Sequence, residues 1–590
     1  MNAIQFNRQR GPARPQNELA DALKSCKIAL VGLAIACALI NVLYLSGSIY
    51  MLEVYDRVLT SRSIPTLVGL TVMIVILYSF QGLLDLLRGR VLVRVGRSIG
   101  QSLSGRVYET IGRLAITRRA GGDGLQPLRD LDQIRTFFAG QGPGALLDLP
   151  WMPFYIGICF IFHFWIGMTA LVGALIIISF TVMTEFMTRA PQRSAMELGG
   201  RRQAMAESNR RNAEAIQAMG MGPAIAGKWT KIDEQYLEVN QKASDVAGTF
   251  GSLSKVMRMA LQSALLGVGA FLVIRQEATP GVIIAGSILG ARALAPVDLA
   301  IANWRGFVGA RQSWRRLEEL LKKFPAEDKQ LALPKPKSHL SIENVSVVPP
   351  GEQRAVVQDV TFRLEKGSGL GIVGPSASGK SSLARIIAGV WPPARGAARI
   401  DGATLDQWPP SVLGQHIGYL PQDVELFAGT VTENIARFQP DPDPEKVIAA
   451  ATAAGVHDLI LHLPGGYDTE IGESGASLSA GQRQRIALAR ALYGDPFLIV
   501  LDEPNSNLDA EGEEALTKAI LGVRARGGIA VVIAHRPSAL AGVDQMLVMM
   551  QGRSQGFGPK EEVMSKLRRP AATPGGTGLR VVTEPGGSVS

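Results

Sequence analysis

Residues 374–382 read GPSASGKSS, and residue types at that spacing suit a chain of phosphates. Glycines let backbone N–H groups turn inward onto phosphate oxygens, Lys380 reaches the terminal phosphates, and Ser381 offers its hydroxyl to Mg2+. The stretch follows GLGIV (369–373), an apolar run of strand type, and leads into LARIIAGV, which reads as helix. Strand, glycine-rich loop and helix is the context that makes GxxxxGK[ST] a P-loop, and the helix N-terminus adds the positive end of its dipole. The candidate nucleotide contacts are Gly374, Pro375, Ser376, Ala377, Ser378, Gly379, Lys380, Ser381 and Ser382.

A second element, FLIVLDEP (497–504), runs from apolar residues of strand type into two carboxylates. A buried strand that stops at an acid is the Walker B arrangement. Asp502 would hold Mg2+ directly or through water, and Glu503 would polarise the attacking water as general base. A solvated acidic turn is the alternative, and the preceding P-loop weighs against it. VVIAHRP (531–537) is another strand ending in a functional side chain. Ligands of doubly wound sheets gather at the carboxyl ends of strands, so His535 is a candidate contact to the terminal phosphate. Gln422, after the short strand of YLPQDVELF, is a candidate for touching Mg2+ and water.

A third element is LSAGQ, formed by Leu478, Ser479, Ala480, Gly481 and Gln482, just before the helical RQRIALARALYG. Its Ser and Gly at a helix N-terminus make a second anion site. One nucleotide scarcely needs two helix N-termini from one chain.

The elements that must carry these residues differ between the two halves. The chain has 590 residues, too many for one compact domain. Hydrophobic residues make up 47%, and the long apolar runs all lie within the first 305 residues. A bilayer-crossing helix needs about 20 apolar residues. Six stretches qualify, near 28–51, 64–84, 143–162, 164–187, 256–275 and 280–304. The last contains Arg292 and Asp298, which should face a cavity or a partner helix. Ten Lys and Arg fall in 85–142 and eleven in 188–258, against only Arg57, Arg62 and Arg275 in the short intervening loops. The basic segments and both termini are therefore expected on the cytoplasmic side. They have helical periodicity and read as extensions of the spans, with surface amphipathic helices as the alternative.

The net charge of +10 fits basic loops facing an anionic leaflet rather than nucleic acid, because the Arg clusters flank apolar spans. Cys26, Cys37 and Cys159 have no metal spacing and read as small apolar fillers. The expected fold is an α-helical six-span membrane domain followed by an α/β P-loop nucleotide-binding domain. Its parts are a polar tail over 1–26, a membrane domain over 27–320, a linker over 325–340, a nucleotide-binding domain over 341–567 and a disordered tail over 568–590.

Taken in order, GPSASGKS, Gln422, LSAGQ, FLIVLDEP, NLD (507–509) and His535 resemble the nucleotide-binding domain of an ATP-binding cassette transporter. The resemblance implies ATP and Mg2+ as cofactors. It implies that LSAGQ closes on the nucleotide held by a second copy, so that the transporter is a homodimer with two shared sites and Asp509 lies at the seam. The six-span half is similar to the exporter type. DLPWMPFYIGI, VVPPGEQRAVVQDVTF and IAGVWPPARGAARIDGATLDQW resemble the permease/ATPase of type I secretion systems, over roughly 25–565. That likeness implies a multi-pass protein of the Gram-negative inner membrane with its nucleotide-binding domain in the cytoplasm. The implied partners are the lipid bilayer, a periplasmic adaptor, an outer-membrane tunnel and unfolded secreted proteins with uncleaved C-terminal signals. A lipid, peptide or small-molecule exporter of the same architecture is the alternative.

Two departures stand out. Pro349 and Pro350 occupy the place where many such domains stack an aromatic ring on adenine. About 26 residues precede the first span, so no leader-cleaving domain is expected before it.

Overall fold

The computed structural model describes residues 17–117, 124–326, 333–472, 475, 477–534 and 536–568. The tail expected after residue 568 and most of the linker's first half lie outside them. The chain divides into two compact units, one of Met1–Ala115 with Arg119–Ala326 and one of Ile116–Arg118 with Glu327–Ser590.

Among the described residues, six helical runs are long and apolar enough to cross a membrane: Lys27–Ser61, Ile64–Thr117, Gly142–Phe162, Phe164–Arg211, Gly222–Ile274 and Pro280–Lys323. Four of them exceed 40 residues, about twice the length a bilayer needs. Their polar ends continue as helix beyond the apolar segments, as the periodicity of the basic stretches predicts. Ile28, Ile64, Ile76 and Phe186 point away from the unit's own core, as lipid-facing side chains do.

Charged groups within the spans find partners. Asp298 pairs with Arg258 of the preceding helix, and the Arg292 guanidinium lies 4.1 Å from the centroid of the Tyr44 ring. Asp148, in the DLPW segment, is buried and accepts from Asn41 Nδ2 at 2.7 Å and from Arg88 Nη1 at 3.1 Å. The Tyr155 hydroxyl donates to Asn41 Oδ1 at 2.9 Å. One carboxylate thereby joins the first, second and third spans.

The stretch 1–26 is not all polar tail. Glu18–Ser25 is a helix, capped by Asn17 Oδ1, that buries Leu19 and Ala22, with Cys26 just beyond it, against Ile99, Leu103 and Leu317. Those apolar positions follow the period of a helix, which an average over composition conceals. Glu18 holds Arg106 at 3.2 Å.

Among its described residues the second unit contains two sheets. Strands β1 (His339–Val347), β2 (Val357–Glu365), β4 (Arg395–Ile400) and β5 (Ala403–Thr404) form an antiparallel sheet in the order β2-β1-β4-β5. Strands β3 (Gly369–Val373), β6 (Ile417–Leu420), β7 (Leu498–Asp502), β8 (Ile529–Ile533), β9 (Gln545–Met550) and β10 (Arg553–Pro559) form the other, in the order β10-β9-β3-β8-β7-β6. All neighbours in it are parallel except the β10 edge. A parallel sheet is covered on both faces, which is why β7 and β8 are apolar and buried along most of their length.

The register separates those faces. Leu498 and Val500 of β7 enter one hydrophobic core with the helix Lys380–Ile387. Ile499 and Leu501 enter a second core with the helix Ala480–Leu492. Successive side chains of a strand point to opposite sides, so these two helices cover opposite faces of one sheet.

Candidate nucleotide site

The P-loop is built at the end of β3. Residues 374–379 form the loop, and Lys380, Ser381 and Ser382 open the following helix. Gly379 sits at φ +93°, where a Cβ would lie 2.8 Å from the Val356 carbonyl oxygen. Ala377 also lies in the left-handed region, at φ +64°. Pro375, Ser376 and Ala377 form an exposed crest, while Ser378 is buried with its hydroxyl unpartnered among the described residues.

Lys380 is 5% exposed and folds back to donate to the Gly374 and Pro375 carbonyls at 2.9 and 2.8 Å. Burial pulls its ammonium below the ordinary lysine range, and the nearby Glu503 and Asp502 charges oppose that. The loop thus holds its own cation in a ring of carbonyls that phosphate oxygens can outbid electrostatically.

Strand β7 delivers the acids. Asp502 is 1% exposed and accepts from the Ser381 hydroxyl at 3.2 Å, while its Oδ2 is buried with no partner among the described residues. Burial pushes the Asp502 carboxyl above its usual range; the Ser381 hydrogen bond pulls it back, and the Glu503 charge adds to the rise. An orphaned anionic oxygen beside a serine hydroxyl is a donor set that suits a hard divalent cation. Among the described residues no three His, Cys, Asp or Glu side chains gather, so such an ion would complete its shell with phosphate and water.

Glu503 has φ +51° and donates its N–H to the Ile533 carbonyl at 2.9 Å, extending the β7–β8 ladder by one strained residue. Gln422 is exposed, two residues beyond β6, whose Leu420 pairs with Leu501 of β7. It therefore emerges at the same sheet edge as Asp502. His535 lies outside the described residues, two positions past the end of β8.

LSAGQ does stand at a helix start. Ser479 is the N-cap of Ala480–Leu492, and its hydroxyl accepts from the Gln482 N–H at 3.3 Å while Gln482 Oε1 accepts from the Ser479 N–H at 2.9 Å. Leu478 anchors this end in the core. Asp509 caps the next helix by accepting from the Gly512 N–H at 2.9 Å, and Arg485 donates to the same carboxylate. So the P-loop, Asp502, Glu503 and the Gln422 loop share one edge of the sheet. LSAGQ belongs to the layer on its far face.

Sequence reading passed over three residues. Gln484, 2% exposed, bonds to the turn after β7, and Asn434, fully buried, fixes Phe427 through both its main-chain groups. Arg437 donates to the Arg490, Ala491 and Ile417 carbonyls, pinning the C-terminal end of the LSAGQ helix to β6. Burial, reinforced by Arg490, pulls its guanidinium down to about 10. Of these, Gln484 carried a usable signal, because it falls three residues after Gly481 on one helical face.

Known proteins with these features were found by comparison. The family described as ABC transporter matches residues 357–506, and the ABC transporter transmembrane region matches 30–291. The type I secretion system ATP-binding protein PrsD of Rhizobium meliloti (strain 1021) is 57% identical over 565 residues, covering 96% of this chain and 97% of that protein. The leukotoxin translocation ATP-binding protein LktB of Mannheimia haemolytica is 30% identical over 92% of this chain and 77% of its own length. A solved bacterial Atm1-family ABC exporter with ATP bound shares the fold, with TM-score 0.78 at 22% identity over 93% of this chain and 99% of that one.

Proposed function

This chain belongs to the ABC transporter family, in its type I secretion branch, and from that premise we propose that it exports unfolded proteins bearing C-terminal signals across the inner membrane of a Gram-negative cell. ATP hydrolysis coupled to transport is its chemistry. The observation that carries the secretion reading is the 57% identity to PrsD across nearly the whole of both chains.

The working unit is a homodimer with its nucleotide-binding units in the cytoplasm. The P-loop N–H groups and Lys380 grip the phosphates of ATP, and Lys380 exchanges its carbonyl partners for phosphate oxygens. Ser381, Asp502 and Gln422 would hold Mg2+. When bound, that ion neutralises charge on the β- and γ-phosphate oxygens. Glu503 takes the proton of the attacking water, and His535 contacts the terminal phosphate. The LSAGQ of the opposite protomer covers the nucleotide, and Asp509 lies at the seam. Support for this sharing comes from LSAGQ opening a helix that covers the face of the sheet opposite the P-loop helix. Closure turns the spans outward and hydrolysis resets them. A periplasmic adaptor and an outer-membrane tunnel complete the path.

The test compares culture-supernatant proteins from a deletion strain restored with either the intact gene or Glu503→Gln. Specific proteins should vanish in both the deletion and the Glu503→Gln strain. An unchanged supernatant, with altered membrane lipids or small molecules instead, would sink protein export in favour of a lipid or small-molecule exporter.

A further inference from the structure

The turn after β7 is docked on the LSAGQ helix at three points along one helical face. Gly481 allows the Asn507 carbonyl oxygen to approach so closely that a Cβ there would lie 2.9 Å from it. Arg485 pairs with Asp509. Between them Gln484 donates from Nε2 to the Pro504 carbonyl at 2.5 Å and to the Glu503 carbonyl at 3.3 Å, and its Oε1 accepts from the Asn507 N–H at 2.9 Å. The partners fix which way the carboxamide points: carbonyls need its amino end and the N–H needs its oxygen.

Glu503 is thus held from two sides in a left-handed conformation, its N–H by β8 and its C=O by Gln484. Backbone strain of this kind persists only where the surroundings over-determine it. Three residues of helix separate Gly481 from Gln484, about 4.5 Å of a stiff rod. A displacement of the LSAGQ end is therefore passed to the backbone that aims the Glu503 carboxylate.

We propose that Gln484 is a positioning residue that ties Glu503 to the LSAGQ helix of its own chain, so that closure of LSAGQ on one nucleotide sets the general base at the other. The relay between two nucleotides rests on the shared-site homodimer proposed above. The tie itself lies within one chain.

The experiment measures ATP turnover by the purified full-length transporter against ATP concentration and pH. Gln484→Met keeps the side chain's length and removes both hydrogen-bonding functions. Its kcat should fall roughly ten- to a hundredfold, as expected for a misplaced catalytic group, with KM for ATP changed less than about twofold. The sigmoidal rise of rate with ATP expected of the relay should become hyperbolic. Gln484→Glu adds a pH readout. As a carboxylate it faces two carbonyl oxygens; as a neutral acid it reproduces the donor and acceptor of glutamine. Burial raises the pKa of such a group, so its rate relative to wild type should climb as pH falls from 8 to 6.

A Gln484→Met protein with wild-type kcat and ATP dependence, even if its Tm is lowered, would overturn the proposal. If that variant does not fold, a flat ratio for Gln484→Glu across the same pH range does so instead. Mixed dimers of Lys380→Ala with Ser479→Arg separate this from the shared-site reading. Both defects fall in one site if sites are shared, and the other site stays whole. Because the relay sets the base of the whole site by closure at the defective one, its turnover should fall roughly ten- to a hundredfold, as in Gln484→Met. Half the wild-type rate would overturn the relay, and a rate no higher than that of the Lys380→Ala and Ser479→Arg homodimers would overturn the sharing, while the kcat and pH readouts still decide the tie within the chain.

Discussion

Two helices of the nucleotide-binding unit begin with small residues, and they treat their first N–H groups in opposite ways. The P-loop helix starts at Gly379, which offers no side chain to cap it. The LSAGQ helix starts at Ser479 inside a reciprocal capping box with Gln482. A glycine in place of a capping side chain costs a helix roughly a few tenths of a kcal/mol. The P-loop helix bears that small cost and leaves its first N–H groups without a side-chain cap. The capped helix spends the N–H of Gln482 internally and keeps those of Ala480 and Gly481 at its positive end. In the proposed mechanism one N-terminus is a receptor that is incomplete without its anion. The other is a finished surface that can be pressed onto an anion already bound elsewhere.

The sharpest way to break this contrast is Ser479→Arg, which fills the capped end. Turnover should fall roughly a hundred- to a thousandfold, the usual range for loss of a transition-state oxyanion contact, while ATP affinity stays within about twofold. Equal loss of binding and turnover in a binding titration would mean that LSAGQ holds nucleotide in its own chain. Lys380→Ala attacks the receptor end. Losing one charge-assisted bond to phosphate should weaken ATP binding about ten- to a hundredfold, readable by the same titration.

Asp502→Asn gives a smaller effect of opposite sign on stability. Burial raises the Asp502 pKa, so the folded state keeps its proton to higher pH than the unfolded state does. Stability from that proton is full below the unfolded pKa and is lost as pH rises through the folded one. At neutral pH, without ATP or Mg2+, the variant should melt a few degrees higher, roughly 2–4 °C per kcal/mol for a domain of this size. The gain should vanish below about pH 4, the ordinary carboxylate range. The variant should also lose hydrolysis, and a melting scan across pH beside a turnover assay checks both. Smallest of all, Gln482→Ala removes half the capping box. It should destabilise the nucleotide-binding unit by about 1 kcal/mol in denaturant titration and leave turnover within about threefold.

The motifs at both helix starts were legible because they are local. A P-loop needs eight consecutive residues and Walker B a strand and two acids, so short stretches announce them. The six spans were legible for the same reason, each being a continuous apolar run. What was hidden depends on partners far along the chain. Gln484 bonds to main-chain atoms 19–23 residues away and Arg437 to carbonyls up to 54 residues away, and no side chain at those positions records the contact. The opposition of the two sheet faces was hidden too. It appears only once β7 is in register, with Val500 on one side and Leu501 on the other. The helix Glu18–Ser25 escaped because its apolar stripe is short and sits among charges.

The Asp148 cluster has a consequence for biogenesis. A carboxylate carried into lipid by a span alone costs free energy, up to about 2.5–3.5 kcal/mol where it sits at the span's centre and less towards its end, where Asp148 lies. Asn41 and Arg88, which bond to Asp148, both precede it in the chain, in spans synthesised earlier. The third span therefore reaches the translocon when donors for its acid already exist in the membrane. Its insertion is a docking event as much as a partitioning one, and the order of synthesis becomes part of how this domain is assembled.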